Sequence, residues 1–227
     1  MNGVERAARE GRTVLSEHEA KRLLAAYGIP VTREILVGRR EDLPGAAREV
    51  GYPVVLKACS PEIAHKTEKD LIRLDIRSDE ELLGAYDAVR ARMEGARPTV
   101  LVQEMVKGPR ELAIGMIRDP QFGPCVMFGL GGIFTEILRD VSFRMAPIGT
   151  EDALEMMHEI RGHRILEAVR GMESADLDRL GEILVQVGRI GLEHESIREI
   201  DINPVILCGA RPVAVDALVV LKRKDEA

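Results

Sequence analysis

Short apolar runs of strand length alternate with amphipathic stretches of helical period along nearly the whole chain, and glycine or proline stands between most of them. That alternation confines the fold to layered helix-and-sheet architectures. Ser16 opens a first helix as its N-cap, with Glu19 at the capping-box position. Ala20, Leu23, Leu24 and Tyr27 then share one face of Glu17–Tyr27, and Gly28-Ile29-Pro30 ends it. A strand is expected around Glu34–Val37 and a helix around Leu43–Val50, which Gly51-Tyr52-Pro53 terminates. Val54-Val55-Leu56 reads as a buried strand running into Lys57. Further strands are expected at Leu71–Ile76, Thr99–Gln103, Glu111–Arg118 and Pro124–Phe128, with an amphipathic helix at Glu80–Arg92. Two helices fill roughly Asp152–Gly191, and Arg198–Ile202 with Pro212–Val220 form a closing pair of strands. Several strand pairs lie close enough for hairpins, so the class is α/β or α+β with mixed, largely antiparallel sheets.

Charge and composition narrow the function. The formal net charge of −6 opposes sequence-independent nucleic-acid binding, which needs basic surface against phosphates. With no Trp, three Tyr and four Phe, stacking platforms for single strands are also scarce. No run of 18 apolar residues is present to span a membrane, and the polar start of the chain is unlike a secretory signal. The three cysteines, Cys59, Cys125 and Cys208, are widely separated, which fits a reducing compartment and gives no zinc pattern. A cytoplasmic protein is the expectation.

Four places in the sequence carry chemistry. Lys57 ends an apolar strand, where a compact cation can meet phosphate oxygens, although a plain surface lysine has the same local sequence. His65-Lys66 follows a proline turn and suits phosphate binding or transient phosphorylation of the imidazole, or is an ordinary loop pair. The cluster Gly129-Leu130-Gly131-Gly132 offers backbone N–H groups for an anion nest or forms a simple turn, with Glu136 and Arg144 just beyond it. Asp201 and Asn203 alternate along one strand and Asp216 lies on the next. Their oxygens are hard donors of the kind that hold Mg²⁺ together with substrate phosphates, while Asn203-Pro204 read alone is a turn.

The stretches LSEHEAKRLLAAYGIPV, YPVVLKACSPEIAHKT, VQEMVKGPRELAIGMIRDPQFGPCVMFGLGGIFTEILRDVSFRMAP and EIDINPVIL, in that order, resemble the nucleotide-binding (beta) subunits of ADP-forming acetyl-CoA synthetases, within the NDP-forming acyl-CoA synthetase superfamily. The resemblance runs from about Leu15 to Val220 and implies an ATP-grasp fold, in which two α+β lobes clamp a nucleotide. It implies ATP or ADP and Mg²⁺ as cofactors, with Lys57 and Lys66 at the phosphates. The segment Gln103, Glu104, Met105 and Val106 would be the adenine hinge, with Glu104 and the main chain at Val106 reading the base edge. Glu111 would contact ribose or close the cleft, and Asn203 and Asp216 would hold Mg²⁺ with Asp201 in support. His65 matches a histidine that receives phosphate transiently. Gly131, Gly132, Glu136 and Arg144 would line the docking place of a phosphohistidine loop brought by a CoA-binding alpha-type subunit, in a hetero-oligomer.

On this reading residues 15–221 form the ATP-grasp domain, with a lobe boundary near 108, between a flexible start (1–14) and a flexible tail (222–227). The chain departs from the family after His65-Lys66-Thr67. Where a glycine pair is usual it reads Glu68-Lys69-Asp70-Leu71-Ile72. Two functions therefore stand side by side: a catalytic subunit that transfers phosphate between phosphohistidine and Mg-ADP, and a non-catalytic ATP-grasp-like regulatory or scaffold subunit.

Overall fold

The structure, a computed structural model, describes residues 3–60, 71–93, 99–132, 139–168 and 171–223. The chain divides into two compact units. The smaller comprises Ser16–His18 and Thr32–Met105, and the larger Met1–Leu15, Glu19–Val31 and Val106–Ala227.

The smaller unit is a four-stranded antiparallel sheet with helices against one face. Its strands are β1 (Glu34–Val37), β2 (Val54–Ala58), β3 (Ile72–Ile76) and β4 (Val100–Glu104), in the order β1-β4-β2-β3. Helix α3 (Leu43–Val50) takes its length from its ends: Pro44 suits the first turn, and the N–H of Gly51 closes on the carbonyl of Ala47 at 2.8 Å. Leu43, Ala46, Ala47 and Val50 recur at helical spacing and are all buried. In α4 (Asp79–Arg90) the Ser78 hydroxyl accepts from the N–H of Glu81, and Leu82, Tyr86 and Val89 form the buried stripe. Both stripes close over Val54, Leu56, Ala58, Val100 and Val102. The pleat therefore turns Val55 and Lys57, paired with Gln103 and Leu101 on β4, to the other face.

The larger unit is built on six antiparallel strands: β5 (Glu111–Asp119), β6 (Gly123–Leu130), β7 (Val141–Met145), β8 (Ile197–Cys208), β9 (Arg211–Ala214) and β10 (Leu218–Leu221). The order is β10-β8-β5-β6-β7, with β9 also on β8. Helices α5 (Thr150–Glu159) and α6 (Leu177–Glu193) cover one face; Met156, Met157, Leu180, Leu184 and Val187 meet Ile114, Met116, Val126, Phe128, Ile200 and Ile202 in one core. Asp176 caps α6 by accepting the N–H of Arg179 at 2.9 Å. Helix α2 (Glu17–Ala26) contributes Ala20 and Leu24 to that core. The carboxylate of Glu19 is bound by Arg12 at 2.8 and 2.9 Å and by Arg6 at 2.7 Å.

Three expectations change here. The start of the chain, read as flexible, holds α1 (Gly3–Arg9), whose Val4 and Ala7 are buried in the large core. Its composition is polar, but those two apolar residues stand three apart and so share a helical face. The N–H of Leu15 then bonds Val219, and the carbonyl of Thr13 accepts from Leu221. The closing strand expected over Pro212–Val220 is two strands, because the long β8 pairs with β10 through its first half and β9 through its second. Strand β7 was not expected at all.

Candidate functional site

In the smaller unit, Lys57 occupies β2 between Leu101 on β4 and Ile72 on β3. Its ammonium donates to Glu17 Oε1 at 2.8 Å, with side-chain exposures of 4% and 0% respectively. A buried ammonium is tolerable only when paired and hydrogen-bonded, and this lysine is held inside the fold rather than on its surface. The next residue, His18, is joined to Glu34 on β1 by a 2.9 Å contact through Nδ1.

The expected adenine hinge follows on β4. Gln103 is fully buried and lies between Glu34 on β1 and Val55 on β2. Glu104 holds Arg33 through both oxygens: the main-chain N–H of Arg33 at 2.8 Å and its Nε at 2.9 Å. The N–H of Met105 donates to Pro53 at 3.3 Å. The chain passes from the smaller unit into the larger between Met105 and Val106.

In the larger unit four expected residues come together. The N–H of Gly131 donates to the carbonyl of Glu111 at 2.8 Å, and the N–H of Gly132 to Asn203 Oδ1 at 3.2 Å. Gly132 has φ of 60°, and a Cβ there would lie 2.1 Å from the Glu111 carboxylate. Only glycine fits both the left-handed backbone and that approach. Two residues before Asn203, Asp201 lies between Gly115 on β5 and Leu218 on β10, on the face away from the helices that Ile200 and Ile202 meet. Burial, then the charges of Glu199 and Asp216, push its carboxyl up to about 6. Asp216 stands in the turn between β9 and β10 and accepts the N–H of Ala217 at 2.8 Å.

These oxygens fit Mg²⁺. Like charges crowded at Asp201 create a negative potential that a cation relieves, and Mg²⁺ takes one or two protein carboxylates plus substrate phosphates. Among the described residues no group of three or more His, Cys, Asp or Glu could hold a metal ion.

Arg144 corrects the expected site. It lies on β7 opposite Val126, a core residue, so it points to the face that α5 covers. There it is bound by Glu159 at 2.9 Å and through a second nitrogen, with Glu155 at 3.5 Å. The ion pair with Glu159 raises the guanidinium pKa and lowers that of the carboxyl. Arg144 therefore faces away from Asp201 and braces α5. His65, Lys66 and Glu136 lie outside the described residues.

Sequence reasoning missed Glu17, Arg33 and Glu199. Nothing in the spacing marks Glu17, 40 residues from Lys57. Glu199 was readable, since it alternates with Asp201 on the same strand.

The chain is an α+β protein of two units, one carrying a strand-borne lysine and the other an acidic strand. The family model described as an ATP-grasp domain matches residues 6–221, and the chain belongs to that family. It is 44% identical over 223 residues to the acetate–CoA ligase [ADP-forming] I subunit beta of Pyrococcus furiosus, covering 96% of each chain. It is 40% identical over 204 residues to acetate–CoA ligase [ADP-forming] I of Archaeoglobus fulgidus, covering 88% of this chain but 30% of that longer one. Among solved structures, it matches the Korarchaeum cryptofilum dinucleotide-forming acetyl-coenzyme A synthetase 1 in complex with coenzyme A and Mg-AMPPCP, whose phosphohistidine segment points towards the nucleotide binding site. That match has a TM-score of 0.86 and 43% identity, and covers 96% of this chain and 98% of the other.

Proposed function

We propose that this chain is the nucleotide-binding, beta-type subunit of an ADP-forming acyl-CoA synthetase. It moves a phosphoryl group between a phosphohistidine of a CoA-binding alpha-type partner and Mg²⁺-bound ADP or ATP. The observation that carries this reading is the joined set Glu111, Gly131, Gly132 and Asn203 beside the carboxylates of Asp201 and Asp216, within an ATP-grasp chain. The longer Archaeoglobus relative, of which the matched segment is 30%, supports a separate partner for the acyl-CoA chemistry.

Phosphoryl transfer asks a protein for positioning and charge neutralisation more than covalent work. In the direction of ATP formation, the P–N bond of phosphohistidine breaks and a P–O bond forms on the terminal phosphate of ADP. The imidazole nitrogen keeps the electron pair and takes a proton. The family motif around His65 supports a relay, in which a P–N bond would form on this imidazole as the partner's breaks and would break in turn on transfer to ADP. Lys57 and Lys66 screen phosphate oxygens. The main chain of Glu104–Val106 reads the base, since the Glu104 carboxylate is held by Arg33. Glu111, with Gly131 and Gly132 packed on it, shapes the ribose and phosphate side. Asn203 and Asp216, supported by Asp201, would hold Mg²⁺, which supplies charge neutralisation at the phosphates when bound.

Turnover of the chain with its partner tests the reading. His65→Ala should cut turnover while leaving Mg-ADP affinity nearly intact. Full activity in both His65→Ala and a Lys57 variant would refute the assignment.

A further inference from the structure

We propose that Glu17 is a positioning residue for the nucleotide reaction, holding the Lys57 ammonium in the orientation and charge state that meets phosphate. The inference rests on the reading of Lys57 given above and extends it to a residue 40 positions away in the chain.

The backbone of Lys57 is fixed by strands on both sides, but its side chain is a flexible stem ending in a point charge. Glu17 binds that charge at 2.8 Å, with both groups out of solvent. Glu17 is itself anchored. It is the first residue of α2, and the adjacent His18 is joined to Glu34 on β1. The segment Ser16–His18 is thereby tied to the four-stranded sheet at two points, and the carboxylate has a defined place from which to hold the lysine. Removing the carboxylate takes a charged, hydrogen-bonded partner from a buried cation and so changes how that cation is held.

The test is a double-mutant cycle read by Mg-ADP affinity and by kcat and KM of the complex with the partner subunit. The variants are Glu17→Gln, Glu17→Asp, Lys57→Met and Glu17→Gln/Lys57→Met. Glu17→Gln should weaken Mg-ADP binding on the order of tenfold or more, as loss of one member of a buried charged pair does. Glu17→Asp should recover part of the loss. In the Lys57→Met background Glu17→Gln should change affinity by less than about twofold, because the partner through which it acts is gone. A merely structural glutamate would lower thermal stability in both backgrounds and leave affinity untouched, which overturns the proposal. Tighter binding in Glu17→Gln would also overturn it, making the pair inhibitory. If Lys57→Met itself binds Mg-ADP normally, the failure lies instead with the phosphate role of Lys57. Glu17→Gln nearly preserves side-chain volume, and Glu17→Asp keeps the charge, so one unfolded variant does not end the test.

Discussion

The two units handle charge in opposite ways. In the smaller, the cation at Lys57 is paired inside the fold with a carboxylate that has no exposure at all. In the larger, Asp201 sits among carboxylates, and burial together with Glu199 and Asp216 drives its pKa up to about 6. One unit pairs a buried cation with a buried carboxylate, and the other crowds carboxylates together. The difference teaches that a buried charge can be settled by a partner within the protein or left for a proton or a ligand to settle. The lysine is preorganised before ligand arrives, so little ordering remains to be done at phosphate. On the proposed function, Mg²⁺ arriving with nucleotide would give the acidic strand its counter-charge.

Variants can break that contrast at either end. The largest effect is expected at Lys57. Lys57→Met removes the cation paired with the buried Glu17 and should cost about 3–5 kcal/mol of stability, besides weakening phosphate affinity. Chemical denaturation and calorimetry read the two losses. Next is Gly132→Ala, which forces a Cβ 2.1 Å from the Glu111 carboxylate at a φ of 60°. A stability loss of about 1–3 kcal/mol is expected from backbone strain, with turnover falling more steeply than the melting point.

Asp140 supplies a pH test in the larger unit. Its two oxygens accept the N–H groups of Arg161 at 2.8 Å and Gly162 at 2.7 Å, and the residue is 7% exposed. Burial alone would raise its carboxyl, but those two bonds and the Arg161 charge outweigh it and the pKa is lowered. A carboxylate depressed in the folded state stabilises above its ordinary pKa, and that stability is lost as pH falls through the folded value. Asp140→Asn should therefore cost about 1–3 kcal/mol at neutral pH and flatten the acid limb of the stability profile. An unchanged limb would show that Asp140 is not its source.

Asp201→Asn sharpens the contrast from the acidic side. Removing one of the crowded charges should stabilise the metal-free protein and weaken the Mg²⁺ dependence of nucleotide binding by roughly tenfold. The smallest effect belongs to Arg144→Ala. Its partners are surface glutamates on α5, so melting temperature and nucleotide affinity should both stay nearly unchanged. A large loss of affinity there would return Arg144 to the site.

Local sequence carried the elements whose ends are chemically marked. The helix Leu43–Val50 is bounded by Pro44 and Gly51, and β2 runs into Lys57 as its apolar run implies. The acidic strand was readable from the alternation of Asp201 and Asn203. What local sequence could not carry is partnership at a distance. Glu17 meets Lys57 only because the start of α2 returns to the four-stranded sheet, and no period spans that separation. Arg144 failed for a different reason. Without β7 recognised, the pleat that turns its side chain towards α5 had no register to be read from. The start of the chain shows the limit of composition, since two buried residues, Val4 and Ala7, suffice to dock a polar segment.

The most direct test of the account is calorimetric titration of the protein with ADP, with and without Mg²⁺, in wild type and in Lys57→Met. The account predicts Mg²⁺-dependent binding in the wild type that is weakened tenfold or more, on the order of a buried charged pair's loss, in the variant while the variant remains folded. Equal binding in both, or no binding by the wild type even with its partner subunit present, would contradict it.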